Sequence, residues 1–379
     1  MNVSIITDVR IYKRGEHHYA ASAFYKILER YAKAFGKITL ITRIIEADML
    51  PKDYSQVDDF CDKFINVHSI MNVIVSSNAE AEKAIKQSNL IIIRLPSLIS
   101  IFLYKYVQQS QKIYLTEAMG CAWDAFWNHG LLGKLIAPYA FRKMKHIIYN
   151  ANYATYVTNE FLQKRYPCKN PSIGVSNVNI EEVYSPRPYN DFPKASVSLL
   201  TAAAVDVHYK GQQYMIKAIK PLQKRGIQCD YYLAGGGNTT YLKKIAKQYG
   251  VSENVHFLGP IAHANLLKKM REIDLYIQPS LQEGLPRSVI EAMSCGCVCL
   301  GSNTAGIPEL LNAEQVFKRR RVSSIVETIA KTANDSNLGK ISKQNVSNAT
   351  KYLANSLDKK RFQYYELIQH EIKEKSHGQ

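Results

Sequence analysis

Residues 274–301 read DLYIQPSLQEGLPRSVIEAMSCGCVCLG, and this stretch decides the fold. Leu275 to Gln278 is a short apolar run stopped by Pro279, which predicts a buried strand. A polar loop carrying Glu283 and Gly284 follows. Pro286 to Ser294 is predicted to be helical, with Pro286 in the first turn, where a missing N–H costs nothing. Val298 to Gly301 returns as a strand. Strand, loop, helix and strand in this order form the repeating unit of a parallel α/β sheet.

The same alternation extends outward. On the N-terminal side lie a strand at Val197–Ala203, a helix from Gly211 to about Lys224 and a strand at Cys229–Ala234. Gly235 to Gly237, a helix at Tyr241–Tyr249, a strand at Val255–Leu258 ending on Gly259, and a helix at Leu266–Ile273 complete the set. The first half of the chain shows a second series. Its strands are Val3–Ile6, Ile38–Thr42, Lys63–Val67, Leu90–Arg94 and Lys112–Thr116, with a polar loop after the first and a helix at Ala21–Phe35. Between the halves, Tyr184–Lys194 carries Pro186, Pro188 and Pro193 among polar residues, a linker signature. The predicted organisation is therefore one doubly wound α/β domain at 1–185 and a Pro-rich linker at 186–194. A second such domain follows at 195–345, then a helical C-terminal region at 346–379 that packs back on the first domain. Ligands of such sheets bind beyond the carboxyl ends of the strands, and the cleft between two such domains is the expected site.

The 379 residues suffice for two cores, and 46% apolar content excludes a mainly disordered chain. Lys and Arg number 49 against 32 Asp and Glu, a net charge of +17 that calls for an anionic partner. The N-terminus lacks a basic segment followed by a long apolar core, so no secretory signal is expected. The apolar stretch Leu90–Tyr104 is broken by Arg94 and Pro96 and is too short to span a bilayer. A cytoplasmic protein is expected. Seven cysteines give no disulfide framework, and the alternation Cys295, Cys297, Cys299 reads as small buried side chains on a strand.

Two stretches carry chemistry. In PSLQEGLPRSVIEAMSCG, seven residues separate Glu283 in the loop from Glu291 in the helix. Free N–H groups and the dipole at the helix start favour an anion. A nucleotide sugar needs these parts: a helix start for the diphosphate, one carboxylate for the ribose diol and another for the sugar hydroxyls. In VDVHYKGQQY, Val205–Tyr214, Lys210 and Gly211 stand between a strand and a helix, where a lysine reaches a diphosphate and glycine permits close backbone approach. Read singly, either glutamate is an ordinary solvated residue.

Together these stretches resemble the donor-binding signatures of the retaining glycosyltransferases of family 4. Those enzymes have the GT-B fold, two Rossmann-like doubly wound parallel-sheet domains facing across a cleft. Further matches are LAGGG at 233–237, VHFLGP at Val255–Pro260, DLYIQPS at Asp274–Ser280 and IPEL at Ile307–Leu310. They follow the family's order from Thr201 to Leu310. The resemblance implies that Glu291 holds the ribose hydroxyls and Glu283 the transferred sugar. Lys210 neutralises the leaving diphosphate, with Gly211 beside it. Backbone groups from Gly284 and Leu285 to Arg287 contact phosphate or sugar, and Gly259 lies near the nucleobase. Catalytic roles fall to Lys210 and Glu283. Two departures stand out. Members often carry an Arg where this chain has Val205, with Arg287 as a substitute cation, and Phe-Gly where it has Leu285-Pro286. No metal ligand set and no Asp-any-Asp pair appears in the sequence. No cofactor is expected beyond the nucleotide diphosphate sugar used as donor.

In the first half, YLTEAMGCAWDAFWNHG, Tyr114–Gly130, is the candidate acceptor-side wall. Glu117 and Asp124 offer carboxylates, and Trp123 and Trp127 offer flat faces for sugar rings. A buried aromatic cluster is the alternative. His17, His18 and Tyr19 are placed in the first loop. Basic residues crowd Lys134–Lys169, and LLGKLIAPYAFRKMKHIIY reads either as a membrane-surface helix or as the solvated face of a core helix. Lys318–Arg321 reads as a solvated loop. No nucleic-acid recognition motif accompanies the charge, so no nucleic-acid partner is expected. The function implied is transfer of a hexose-type sugar to a glycan or polyprenyl-linked acceptor in surface or capsular polysaccharide assembly. The alternatives are a nucleotide-sugar epimerase of the same fold and a non-catalytic basic binding protein.

Overall fold

The apolar runs of the sequence become the strands of two separate sheets, one in each of two units. The computed structural model describes residues 1–51, 53–67 and 78–377. The chain divides after Asn177: residues 1–177 and those from Asp358 onward form the first unit, and Val178–Leu357 the second.

In the first unit the strands are β1 (Val3–Arg14), β2 (His17–Ala21), β3 (Ile38–Glu46), β4 (Tyr54–Gln56), β5 (Cys61–Asn66), β6 (Leu90–Leu95), β7 (Ile113–Ala118), β8 (Tyr153–Tyr156) and β9 (Ser172–Gly174). The parallel series β5-β3-β1-β6-β7-β8-β9 is extended by two antiparallel pairings, β1 with β2 and β2 with β4. The polar loop expected after Ile6 is instead a continuation of β1 and a hairpin. Arg14 pairs with His17, and Gly15 turns the two-residue loop at φ +60°. His17, His18 and Tyr19 therefore lie on β2, and His18 is tied to Asp58 at 2.9 Å. Val3, Ile5, Leu40 and Ile92 are buried because both faces of this sheet region are covered. Tyr364, Tyr365, Ile368 and Ile372 of the final helix, Ala354–His377, complete that core.

The second unit is a six-stranded, all-parallel sheet in the order β12-β11-β10-β13-β14-β15. Its strands are β10 (Ser196–Ala202), β11 (Gln228–Ala234), β12 (Val255–Gly259), β13 (Leu275–Gln278), β14 (Val298–Ser302) and β15 (Val316–Phe317). This is the doubly wound order, which reverses between β10 and β13. The segment 186–194 is no free linker. Tyr189 and Phe192 enter the second core, and the Tyr189 hydroxyl donates to the Asp274 carbonyl at 2.8 Å. The expected helical region from Val346 is broken. The helix Leu338–Ala349 ends, and the Ile180 backbone bonds to Tyr352 and Ala354 before the last helix starts. Pro286 sits one residue before the helix Arg287–Ser294, as its N-cap rather than in its first turn. Cys295, Cys297 and Cys299 are buried. Burial pushes the Cys295 thiol up to about 12 and that of Cys297 to about 11, so both stay protonated and inert.

Candidate functional site

The carboxyl ends of β10, β11, β12 and β13 surround a cavity of about 450 Å³ in the second unit, where the strand order reverses. Ala202 ends β10 and Ala203 and Ala204 follow it, Gly235 and Gly236 follow β11, and Pro260 and Ile261 follow β12. Lys210, Glu283, Pro286, Arg287, Ser288 and Glu291 supply its chemistry.

Lys210 closes the short turn His208–Lys210 ahead of the helix Gln212–Gln223. Its Nζ lies 2.9 Å from Glu283 Oε1. Gly211 fixes this approach. At φ +78°, a Cβ there would sit 1.9 Å from the Pro279 carbonyl oxygen, so only glycine lets the lysine turn pack against the loop that follows β13. The Leu281 N–H reaches back to the Tyr209 carbonyl at 2.7 Å and ties the same two segments.

Behind Glu283 runs a buried polar relay. Gln278 Nε2 donates to Glu283 Oε1 at 3.1 Å and to Ser280 Oγ at 2.8 Å. Gln278 Oε1 accepts from the Tyr276 hydroxyl at 2.6 Å and from Ser288 Oγ at 3.2 Å. Gln278 is 1% exposed, so all four partners are needed to satisfy its amide. Sequence reasoning passed over Gln278. The available signal was one amide at the carboxyl end of an otherwise apolar strand.

Glu291, on the first helix after β13, is buried, and its Oε1 receives His263 Nε2 at 2.9 Å. Arg287 stands one helical turn earlier with its guanidinium 3.8 Å away. His263, the first residue of the helix His263–Glu272, was also passed over. Two cations and two carboxylates thus share one cavity, and each carboxylate has a cationic or imidazole neighbour.

The remaining expected residues fall as follows. Gly211, Gly259, Gly284 and Leu285 are not among the cavity's lining residues. Gly259 ends β12, and its carbonyl accepts the Gly235 N–H at 2.8 Å. The Gly284 carbonyl takes the Gly306 N–H at 3.0 Å, and Leu285 is buried. Val205 is packed in the hydrophobic core at 2% exposure and does not line the cavity. Arg287 does line it, as Lys210 does.

In the first unit, Glu117 does not offer a free carboxylate. It is buried on β7, with Arg94 Nε of β6 at 2.5 Å, the Tyr31 hydroxyl at 3.1 Å and the Asn177 amide at 2.5 Å. Burial pushes its carboxyl up, but Arg94 and Asn177 outweigh burial and hold it below its ordinary value. Asp124 lies in the first turn of the helix Ala122–Trp127, half-buried. Trp123 and Trp127 stack on each other at 5.0 Å, and Phe141 meets Trp123 edge-on, so these rings form a packed cluster that is only half-buried. Among the described residues no three His, Cys, Asp or Glu side chains converge as a metal ligand set.

The second unit is thus a doubly wound sheet with a cation–carboxylate cavity at the carboxyl ends of its strands. The family model for glycosyl transferases group 1 matches residues 194–351. Over 339 residues the chain is 30% identical to Protein CapJ of Staphylococcus aureus, covering 87% of this chain and 85% of CapJ. This chain belongs to the group 1 glycosyl transferases. It is also 28% identical over 180 residues to the capsular polysaccharide biosynthesis glycosyltransferase CapH of Staphylococcus aureus, covering 45% of this chain and 46% of CapH. Among solved structures, sucrose-phosphate synthase from Thermosynechococcus elongatus superposes with TM-score 0.67 at 15% identity, over 97% of this chain and 98% of that one. HepE of Anabaena in complex with UDP superposes with TM-score 0.67 at 13% identity, over 97% of this chain and all of HepE. These two likenesses show the GT-B fold.

Proposed function

We propose that this glycosyltransferase moves a hexose-type sugar from a nucleoside diphosphate sugar to a glycan or polyprenyl-linked acceptor, with retention and without a metal. The observation that carries the reading is the convergence of Lys210, Arg287, Glu283 and Glu291 on one cavity at the carboxyl edge of the sheet. In the structure the two cations face the two carboxylates, so the side-chain charge is balanced. A diphosphate adds negative charge and draws Lys210 and Arg287 to itself. Glu283 is then released to the sugar hydroxyls, and Glu291 exchanges His263 for the ribose diol. As the glycosidic bond breaks, negative charge grows on the diphosphate beside Lys210 and the start of the helix Arg287–Ser294, which stabilise it electrostatically. The departing phosphate oxygen accepts the proton of the attacking hydroxyl.

The likeness to CapH, a capsular polysaccharide biosynthesis glycosyltransferase, supports a role in surface or capsular polysaccharide assembly. HepE has been solved with UDP and with UDP-glucose, which favours a uridine donor. The enzyme works in the cytoplasm, at the inner face of the cell membrane. The test is release of nucleoside diphosphate from a panel of nucleotide hexoses with glycan acceptors, with and without EDTA. Lys210→Ala and Glu291→Ala each lower release by at least about a hundredfold. Unchanged release in both variants overturns the reading, and dependence on added metal overturns the metal-free part. Isomerised donor without acceptor would mean an epimerase. The anomeric configuration of the product tests retention.

A further inference from the structure

The helix Gly130–Tyr149 in the first unit has two apolar stripes, and the core accounts for one. Gly133, Ala137, Ala140, Met144, Ile147 and Ile148 are buried. On the other stripe Leu131, Leu132 and Leu135 are 81, 70 and 77% exposed, and Tyr139 and Tyr149 are exposed as well. Of the ten exposed large apolar side chains among the described residues, these five stand on this one helix. Isolated exposed leucines are ordinary, but a cluster of this kind marks a surface that something covers.

Charge selects what covers it. The helix GLLGKLIAPYAFRKMKHIIY contains no Asp or Glu, and Lys134, Arg142, Lys143 and Lys145 are all exposed on it. The leucines occupy the first turns and most of the cations the second half. An anionic lipid surface fits both ends, with leucines in the acyl boundary and ammonium and guanidinium groups at the phosphates. A second copy of the chain would set this positive stripe against itself, in a protein of net charge +17. Among the described residues no helix is long and apolar enough to cross a membrane, so the contact is one that lies in the interface.

We propose that the exposed stripe of the helix Gly130–Tyr149 docks the enzyme on an anionic bilayer, with Leu131, Leu132 and Leu135 inserted and Arg142, Lys143 and Lys145 at the headgroups. Docking rests on the membrane-face placement and lipid-linked acceptor of the proposed function. Vesicle binding is read without turnover, so failure of docking and failure of transfer are separate outcomes.

The test is flotation of the full chain with vesicles of phosphatidylcholine containing phosphatidylglycerol, and with pure phosphatidylcholine, at low and high salt. The wild type floats with the anionic vesicles at low salt and much less with the neutral ones. Leu131→Ser with Leu135→Ser, and separately Arg142→Glu with Lys145→Glu, each weaken partitioning by more than about tenfold. Lys318→Glu with Arg321→Glu makes the same net-charge change at exposed residues of the second unit and leaves binding within about threefold of wild type. Melting temperatures confirm that every variant is folded. No flotation of the wild type overturns the proposal. Equal loss in the Lys318/Arg321 variant reduces the effect to net charge and also overturns it. A dimer in sedimentation that the leucine pair abolishes, without vesicle binding, assigns the face to a second copy and overturns it as well.

Discussion

Replacing Glu283 by Gln is expected to move binding and turnover in opposite directions. In the structure Lys210 Nζ is 2.9 Å from Glu283 Oε1, so the cation that should meet the diphosphate is already paired. By Coulomb's law such a pair is worth about 6 kcal/mol at an effective dielectric of 20, and about 1.4 kcal/mol in bulk water. Lys210 keeps 24% of its side chain exposed and Glu283 10%, and both lose hydration in pairing, which places the net value near the aqueous end. About 1–2 kcal/mol is then recovered by the phosphate when the competing carboxylate is neutral, equivalent to roughly five- to thirtyfold in affinity. Gln keeps the length of the side chain and an oxygen for the Gln278 amide, so the loop after β13 should hold. Turnover falls by about a hundredfold or more, because the group proposed to orient the sugar has lost its charge. The assay is calorimetric titration of nucleoside diphosphate into wild type and Glu283→Gln, alongside product release at saturating donor. A nucleoside without phosphate serves as control and should bind both proteins alike. Weaker diphosphate binding in the variant, or turnover within threefold of wild type, would refute the reasoning.

Three further outcomes are expected. Gly211→Ala forces a Cβ to within 1.9 Å of the Pro279 carbonyl in a left-handed conformation, and should cost more than about 2 kcal/mol in urea unfolding while weakening diphosphate binding. Val205→Arg should not restore a phosphate cation. It places a charge in the core and lowers the melting temperature steeply, with no gain in affinity. Glu117→Ala should cost about 3–5 kcal/mol by stranding Arg94, and Arg94→Met with Glu117→Leu should recover most of it. Because the folded-state pKa of Glu117 is depressed, its contribution is complete above its ordinary value near 4.5 and is lost as pH falls below it. Acid unfolding of the apolar double variant should therefore start at lower pH.

The second unit was legible because its strands are short apolar runs buried on both faces and cut by Gly and Pro. The segments between them, a turn, a loop and a helix, carry the cavity's charged groups, so Lys210, Glu283, Arg287 and Glu291 stood out together. The first unit was less legible for particular reasons. The later half of β1, VRIYKR, lies between β2 and β3, and Arg10, Lys13 and Arg14 mask the alternation of Val9 and buried Ile11. Arg94 read as an interruption in an apolar stretch and Glu117 as a cleft carboxylate. They are register partners on β6 and β7, and strand register does not appear in the sequence. The prolines at 186–194 read as a linker, yet Tyr189 and Phe192 anchor that segment, and two aromatic residues in a Pro-rich stretch were the overlooked signal. His263 reaches Glu291 across 28 positions of sequence, a pairing that only the fold reveals.

The first unit's core includes Tyr364, Tyr365, Ile368 and Ile372, whereas the second unit is one continuous stretch of chain. During synthesis on the ribosome, residues 178–357 can therefore reach their final structure while the unit that began first still lacks part of its interior. The order of completion is the reverse of the order of translation, and the N-terminal half must wait with an open apolar seam. The last helix acts as a clasp, and a chain cut before Asp358 would keep every residue of the second unit yet present the first unit's open seam to chaperones.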